Sequence, residues 1–329
     1  MQKLEHRRIL ITGGAGFIGS NLAETLLGQD NDVVVLDNFL TGKPENVAPF
    51  RDNPRFRLIV GDIRDKETCR RAVDGIDLVL HQAAVGSVPR SIQDPTLTTD
   101  VNVSGFVNML FAAKEAGVKR FVYAASSSTY GDSVKLPKVE DEIGKPLSPY
   151  AITKYVNELF AENFAALYGI ETVGLRYFNV FGRRQDPAGA YAAVIPVFAS
   201  RLIAGEPPVI NGDGSYSRDF TYVDNVVRAN ELAATTGDPD ALNQVYNIAC
   251  GESITLNELF EAIRGELAAF DPAIATIEAV HGPFRRGDIP HSLASIEKAS
   301  RLLGYRPEYS VKAGLKAAAK WYYDHLHAV

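Results

Sequence analysis

Only two cysteines, Cys69 and Cys250, occur in 329 residues, and they form no spacing motif. That argues against a disulfide framework and leaves two inert thiols in a reducing compartment as the expectation. The six histidines are scattered and none stands in a metal-ligand pattern, so no metal is expected. His81 ends an apolar run and reads as a packed or hydrogen-bonded side chain. No apolar run approaches the roughly eighteen residues of a membrane helix, so no membrane contact is expected. The first residues, from Met1 to His6, are polar and lead straight into an apolar run, which does not read as a signal peptide. A cytoplasmic protein is therefore expected. Positive charge is not in excess: the formal net charge is −6 and the pI about 5.6, so nucleic acid is not an expected partner. Internal repeats and low-complexity linkers are also missing. At 46% hydrophobic and 22% charged, the composition is that of an ordinary globular protein.

The most informative stretch lies near the start. Ile9, Leu10 and Ile11 form an apolar run, followed at once by Gly13, Gly16 and Gly19 in G-x-x-G-x-x-G spacing, with Phe17 and Ile18 inside it. Residues 21–27 then read as a helix. A strand, a tight glycine turn and a helix N-terminus together make a cradle for a pyrophosphate. A glycine turn that only packs strand on helix is the alternative, but the next strand, 33–37, ends in Asp37, eighteen residues past Gly19. An acid there suits ribose hydroxyls and repels a 2′-phosphate, which points to NAD rather than NADP.

Strand-like runs recur at 8–12, 33–37, 56–60, 77–81, 120–125 and 172–177, with helical patterns between them. The alternation predicts an α/β fold, a doubly wound parallel (Rossmann-type) sheet with ligands at the carboxyl ends of its strands. After about residue 180 turn signals crowd in, as at Asp186-Pro187, Pro207-Pro208 and Asn211-Gly212. We expect residues 1–180 to form the dinucleotide-binding domain and 181–329 mainly a smaller α/β substrate-binding region. Segments such as 245–248 are candidates to return to the sheet. Helices expected over about 101–117 and 150–168 carry more apolar surface than one sheet-facing stripe needs. Plain core packing and a helix-pairing homodimer interface both explain that surplus.

Tyr150 and Lys154 stand four apart, on one face of a helix begun by Ser148-Pro149. A free tyrosine is a poor base at neutral pH, and a neighbouring ammonium favours its phenolate. Such a pair can exchange a proton with a substrate hydroxyl. A third hydroxyl is expected at a strand end, where Ser126, Ser127 and Ser128 follow residues 121–125. A Ser126 hydroxyl can share the substrate hydroxyl with Tyr150.

With these motifs in order, the chain resembles the extended short-chain dehydrogenase/reductases of the nucleotide-sugar 4-epimerase type over essentially its full length. The motif that contains His81, Gln82, Ala83 and Ala84, the Tyr130-Gly131 pair, and the run of Arg176, Tyr177, Phe178 and Asn179 add to the likeness. More narrowly, residues 84–91, 124–132 and 181–187 resemble UDP-N-acetylglucosamine 4-epimerases. The resemblance implies an NAD that stays bound and is regenerated each turnover, a UDP-sugar substrate and a homodimer. It implies cofactor contacts at Gly13, Gly16, Phe17, Ile18, Gly19, Asp37, Asn38, Asp62, Ile63, Gln82, Ala83, Asn102, Tyr150, Lys154 and Phe178. Substrate contacts are implied at Gly86, Ser87, Ser126, Ser127, Ser128, Asn179, Gln185, Arg218, Arg285, Asp288 and Ser292. Arg218 and Arg285 suit a diphosphate because a guanidinium grips phosphate oxygens in pairs. Ser292 stands where glucose-restricted epimerases resemble one another in having a tyrosine, so it leaves room for an N-acetyl group. UDP-glucuronate 4-epimerases resemble the chain in the serine-rich turn. Nucleotide-sugar 4,6-dehydratases place acids just after the strand-end hydroxyl, whereas Ser127, Ser128 and Thr129 carry no carboxylate here.

Overall fold

The computed structural model describes residues 4–187, 192–284 and 289–326. Short apolar stretches build its central strands: β1 (Arg8–Thr12), β2 (Asp32–Asp37), β3 (Phe56–Val60), β4 (Leu78–His81), β5 (Arg120–Ser126) and β6 (Glu171–Tyr177). Beyond them, β7 (Val180–Phe181), β8 (Val209–Asn211), β9 (Ser217–Arg218) and β10 (Thr221–Tyr222) lie outside the main sheet. β11 (Gln244–Ile248) joins it, while β12 (Ile254–Thr255) and β13 (Val280–Gly282) again lie outside. The seven-stranded order is β11-β6-β5-β4-β1-β2-β3, with every neighbouring pair parallel. All six strands expected from the sequence are present, and segment 245–248 pairs beside β6 with Val245 opposite Gly174. The chain winds outward from β1 to β3 and restarts on the other side at β4. The crevice between β1 and β4 is therefore the point where ligands bind in open sheets of this kind.

Helices cover both faces. They are α1 (Phe17–Leu27), α2 (Lys66–Ala72), α3 (Val88–Gln93), α4 (Pro95–Thr99), α5 (Phe106–Glu115), α6 (Pro149–Tyr168), α7 (Val194–Ile203), α8 (Val223–Thr235), α9 (Leu256–Ala268), α10 (Glu297–Leu302) and α11 (Val311–His325). Successive side chains of a strand point to opposite faces. Ile9 and Ile11 accordingly pack with Leu22, Leu26 and Val226 of α1 and α8. Leu10 packs the other way, with Cys69, Phe106 and Phe164 of α2, α5 and α6. A separate core around Phe198, Phe260 and Tyr322 joins α7, α9 and α11.

The helix expected over 101–117 starts earlier. Asp94 accepts a hydrogen bond from the Leu97 N–H (2.9 Å) and Pro95 takes the first helical position, a strong start signal. α4 then runs through a wide π-type turn, Asp100–Gly105, into α5. The catalytic candidate α6 begins at Ser148, whose hydroxyl accepts from the Ala151 N–H (3.2 Å), and stops at left-handed Gly169.

The first turn of α1 packs directly on the glycine loop. A Cβ at Gly19 would sit 2.2 Å from the Gly13 carbonyl oxygen, which is backbone and cannot turn aside. Gly19→Ala should therefore cost about 1–3 kcal/mol of overpacking and weaken dinucleotide binding, read as a lower melting temperature and a smaller gain in melting temperature on adding NAD.

Candidate active site

A cleft of about 580 Å³ opens along the carboxyl ends of the strands, at the β1–β4 crevice. Gly13, Gly16, Phe17, Ile18 and Gly19 form one wall. Gly13 has a left-handed backbone (φ 68°) and lies so close to the next loop that a Cβ would be 2.8 Å from Ala83 Cα. No side chain caps the start of α1 and its first turn carries no acid, which leaves backbone N–H groups for an anion. Asp37, at the end of β2, is buried and accepts from the N–H of Ala15 (2.9 Å) and of Phe39 (2.8 Å). Burial pushes its pKa up, against the pull of those amides and that of Asn38. Asn38 donates to Asp62 (2.8 Å), whose carboxylate also holds the Arg64 guanidinium (2.7 Å). Hydrogen bonding by Arg64 keeps Asp62 down at about 2. With Arg64 engaged by Asp62, carboxylates rather than a free cation line this part of the cleft. Ile63, Gln82 and Ala83 complete this half of the cleft.

Ser126, Tyr150 and Lys154 meet in the same cleft, on β5 and α6. The Tyr150 phenol and the Ser126 hydroxyl hydrogen-bond, and the Ser126 hydroxyl also bonds Ser128 Oγ (2.8 Å) and accepts from the Ser128 N–H (3.2 Å). Lys154 Nζ donates to the Ala124 carbonyl (2.8 Å). Burial pushes the Lys154 ammonium down to about 8, with the Glu158 carboxylate opposing. Burial likewise raises the Tyr150 phenol above its ordinary value, and the bond to Ser126 opposes that. The lowering of Tyr150 by Lys154 expected from the sequence is thus not present in this arrangement. Lys154 is spent on the Ala124 carbonyl, and burial of the phenol is the larger influence on Tyr150. His81 packs behind them, bonded to Thr12 Oγ1 (2.9 Å) and stacked 5.5 Å from Phe121. Burial pushes its pKa down to about 3, so it is neutral, as a packed histidine should be.

Other expected contacts divide. Gly86, Ser87 and Gln185 line the cleft. Asn102 and Phe178 stand behind the wall. Asn102 accepts from the Val85 N–H (2.8 Å) and donates to Thr153 (3.1 Å), holding the Ala83–Ser87 loop in place, while Phe178 is buried against Tyr130. Ser127 and Ser128 are not in the cleft lining; Ser128 acts on Ser126 instead. Asn179, Arg218 and Ser292 gather beside one another rather than in the cleft lining. Asn179 donates to the Asp219 carbonyl (2.8 Å), Arg218 to the carbonyls of Ser217 (2.9 Å) and Pro290 (3.1 Å), and the Ser292 N–H to Ser217 O (3.1 Å). Arg285 and Asp288 fall outside the described residues.

Residues 9–249 match the model of the NAD dependent epimerase/dehydratase family. The chain belongs to that family. It is similar to the solved UDP-N-acetylglucosamine 4-epimerase of Methanobrevibacter ruminantium in complex with UDP-N-acetylmuramic acid: 37% identical, 98% of this chain and 99% of that one covered, TM-score 0.90. It is equally similar to the UDP-glucose 4-epimerase of Thermotoga maritima with UDP-glucose, at 38% identity, 97% and 100% coverage and TM-score 0.88. A dTDP-glucose 4,6-dehydratase of Streptomyces griseus is 34% identical over 96% of this chain and 94% of its own length. NAD is the family's cofactor, and the glycine cradle, the uncapped α1 start and Asp37 fit it.

The structure also brings in residues the sequence reading missed. Tyr177 lines the cleft and donates to Gln82 Oε1 (3.2 Å), while Asn230 of α8 donates to its hydroxyl (2.9 Å). Asp219, wholly buried, accepts from the N–H groups of Cys250 (2.9 Å), Gly251 (3.1 Å) and Ala294 (3.2 Å) and so ties the Arg218 strand to two distant loops. Its place beside Arg218 in sequence was visible, but its backbone partners lie 31 to 75 residues away. For the family's cofactor the expectation is plain: purified protein, denatured and assayed enzymatically, should release NAD in close to one copy per chain. Protein that arrives free of NAD and accumulates stoichiometric NADH with a sugar nucleotide would mark a net dehydrogenase instead.

Proposed function

We propose that this chain is a nucleotide-sugar 4-epimerase that interconverts UDP-GlcNAc and UDP-GalNAc, working as a cytoplasmic homodimer. The observation that carries the reading is the meeting of Ser126, Tyr150 and Lys154 in one cleft with the glycine cradle and Asp37. NAD, which the glycine cradle and Asp37 would hold, would supply the hydride acceptor and donor at C4. Tyr150 takes the proton of the 4-hydroxyl and later returns it, Ser126 shares the hydroxyl, and Lys154 supplies a positive charge on the same face of the helix as Tyr150. Proton return without loss of water suits a turn with no acid: the carboxylates in the cleft lining are Asp37, Asp62 and Asp186, none of them on the Ser126 turn. That favours epimerisation over 4,6-dehydration. Arg218, Asn179 and Arg285 are proposed to grip the diphosphate while the sugar turns over.

Room for an acetamido group is supported by Gly86, where an added Cβ would meet nothing within 4 Å, and by the small side chain of Ser292. The dimer reading is supported by exposed apolar side chains on α5 and α6: Phe111, Ile152, Leu159 and Leu167 are 44%, 51%, 47% and 64% exposed.

Two variants test the reading in assays of UDP-GlcNAc, UDP-Glc and UDP-GlcA without added NAD. Tyr150→Phe should lower kcat by about 10²–10⁴-fold while the protein keeps its bound NAD; near-normal turnover removes Tyr150 from the proton transfer. Ser292→Tyr should lower kcat/KM for the acetylated pair by roughly ten- to a hundredfold relative to UDP-Glc, the equivalent of about 1–3 kcal/mol of overpacking. An unchanged ratio would place Ser292 outside the sugar pocket, and a wild type selective for UDP-GlcA would replace the substrate assignment.

A further inference from the structure

α6 carries a third ionisable residue in the same four-residue repeat as Tyr150 and Lys154, namely Glu158, one turn beyond the lysine. Its side chain is 6% exposed and is gripped from both sides by Arg176 of β6, itself 4% exposed. Arg176 Nε donates to Glu158 Oε1 (2.9 Å) and Nη2 to Oε2 (2.7 Å), a bidentate pair that requires an ionised carboxylate. Arg176 is fixed in turn. Its Nη1 donates to the Glu140 carbonyl (2.9 Å) and its guanidinium lies 4.9 Å over the Tyr130 ring, whose hydroxyl donates to Asn247 (2.6 Å). The carboxylate is locked in this pair, away from the screening of water and one helical turn from an ammonium that burial would otherwise strip of its proton.

We propose that Glu158, held ionised by Arg176, is a positioning residue that keeps the Lys154 side chain protonated for the reaction. The inference rests on the proton-transfer roles given above to Tyr150 and Lys154. No other described anion competes for the task. On its own helix Lys154 has Tyr150 and, further on, exposed Glu162. From β4 it faces neutral His81; from β5, Tyr123, whose phenol burial keeps protonated; from β6, Arg176 and Tyr177, whose phenol is pushed up to about 12. Tyr130 lies on the turn after β5. The helices packed against α6 offer Arg90, Asp94 and Asp100, all exposed, and Lys114 with Glu115, which pair with each other. Among the described residues, Glu158 alone acts to raise the lysine.

The test is a carbon-13 NMR titration of the Lys154 Cε signal in lysine-labelled holoenzyme, assigned by its loss in Lys154→Met. Removing the carboxylate lowers the lysine's pKa, so in Glu158→Gln the midpoint should move acidward by about one pH unit, and the alkaline limb of the kcat profile should move with it. Glu158→Asp should restore part of the shift. An unmoved midpoint in folded Glu158→Gln, with turnover lowered equally at every pH, overturns the proposal and leaves Glu158 a packing residue. Should Glu158→Gln fail to fold because Arg176 is left unpaired, Glu158→Gln/Arg176→Met removes both charges. Its midpoint should still fall, by less, and an unchanged or raised midpoint there overturns the proposal. If the midpoint moves as expected while wild type turns over no UDP-sugar, the functional assignment fails and the electrostatic one stands.

Discussion

Gly13 and the loop after β4 approach each other so closely that no side chain fits between them, and the site hangs on that contact. Around it the strand ends are stitched together: the Gly13 N–H donates to Leu36 O (2.8 Å), the Gln82 N–H to Thr12 O (3.1 Å) and the Ala83 N–H to Thr12 Oγ1 (3.2 Å). These bonds draw the ends of β1, β2 and β4 to one level. They aim the start of α1 across the crevice and bring Asp37 and Gln82 to the two sides of it. A sheet whose strand order reverses elsewhere would put the same glycines against a closed face.

Burial sets the chemistry within that frame. Tyr150, at the cleft wall, and the buried Lys154 and His81 are ordinary titrating residues, and desolvation is the largest influence on each. Their neighbours then decide the outcome. A carboxylate near Lys154 opposes the loss of its proton, whereas His81 has only a nearby cation and stays neutral. The same reasoning ranks the ion pairs. Arg55 with Asp30 is 41% and 67% exposed and belongs to a class worth about 0–1 kcal/mol. Removing one partner of the enclosed Glu158–Arg176 pair should cost about 3–5 kcal/mol, because a bare charge would be left in the interior.

The region around β9 is organised differently. Arg218, Asn179 and Ser292 are held around β9 largely through backbone bonds, and the clasp among them is the carboxylate of Asp219. Each of its three N–H donors comes from a loop far along the chain, so no local pattern announces it. The early start of α4 was, by contrast, written locally in Asp94-Pro95, and the reading that began at 101 passed over it. Asn102 shows a third case: its amide is spent on Val85 and Thr153, so it shapes the cleft wall from behind.

The sequence by itself determined the parallel strands, the glycine turn followed by an acid, and the Tyr150–Lys154 pair on one helical face. These depend on periods of two and about 3.6 residues and on short spacings, which the chain carries locally. Tertiary structure alone decided that Glu158 would meet Arg176, that Asp219 would gather three distant N–H groups, and that burial would be the largest influence on Tyr150 and Lys154. Those outcomes depend on which distant surfaces exclude water from one another, and that is a property of packing rather than of spacing.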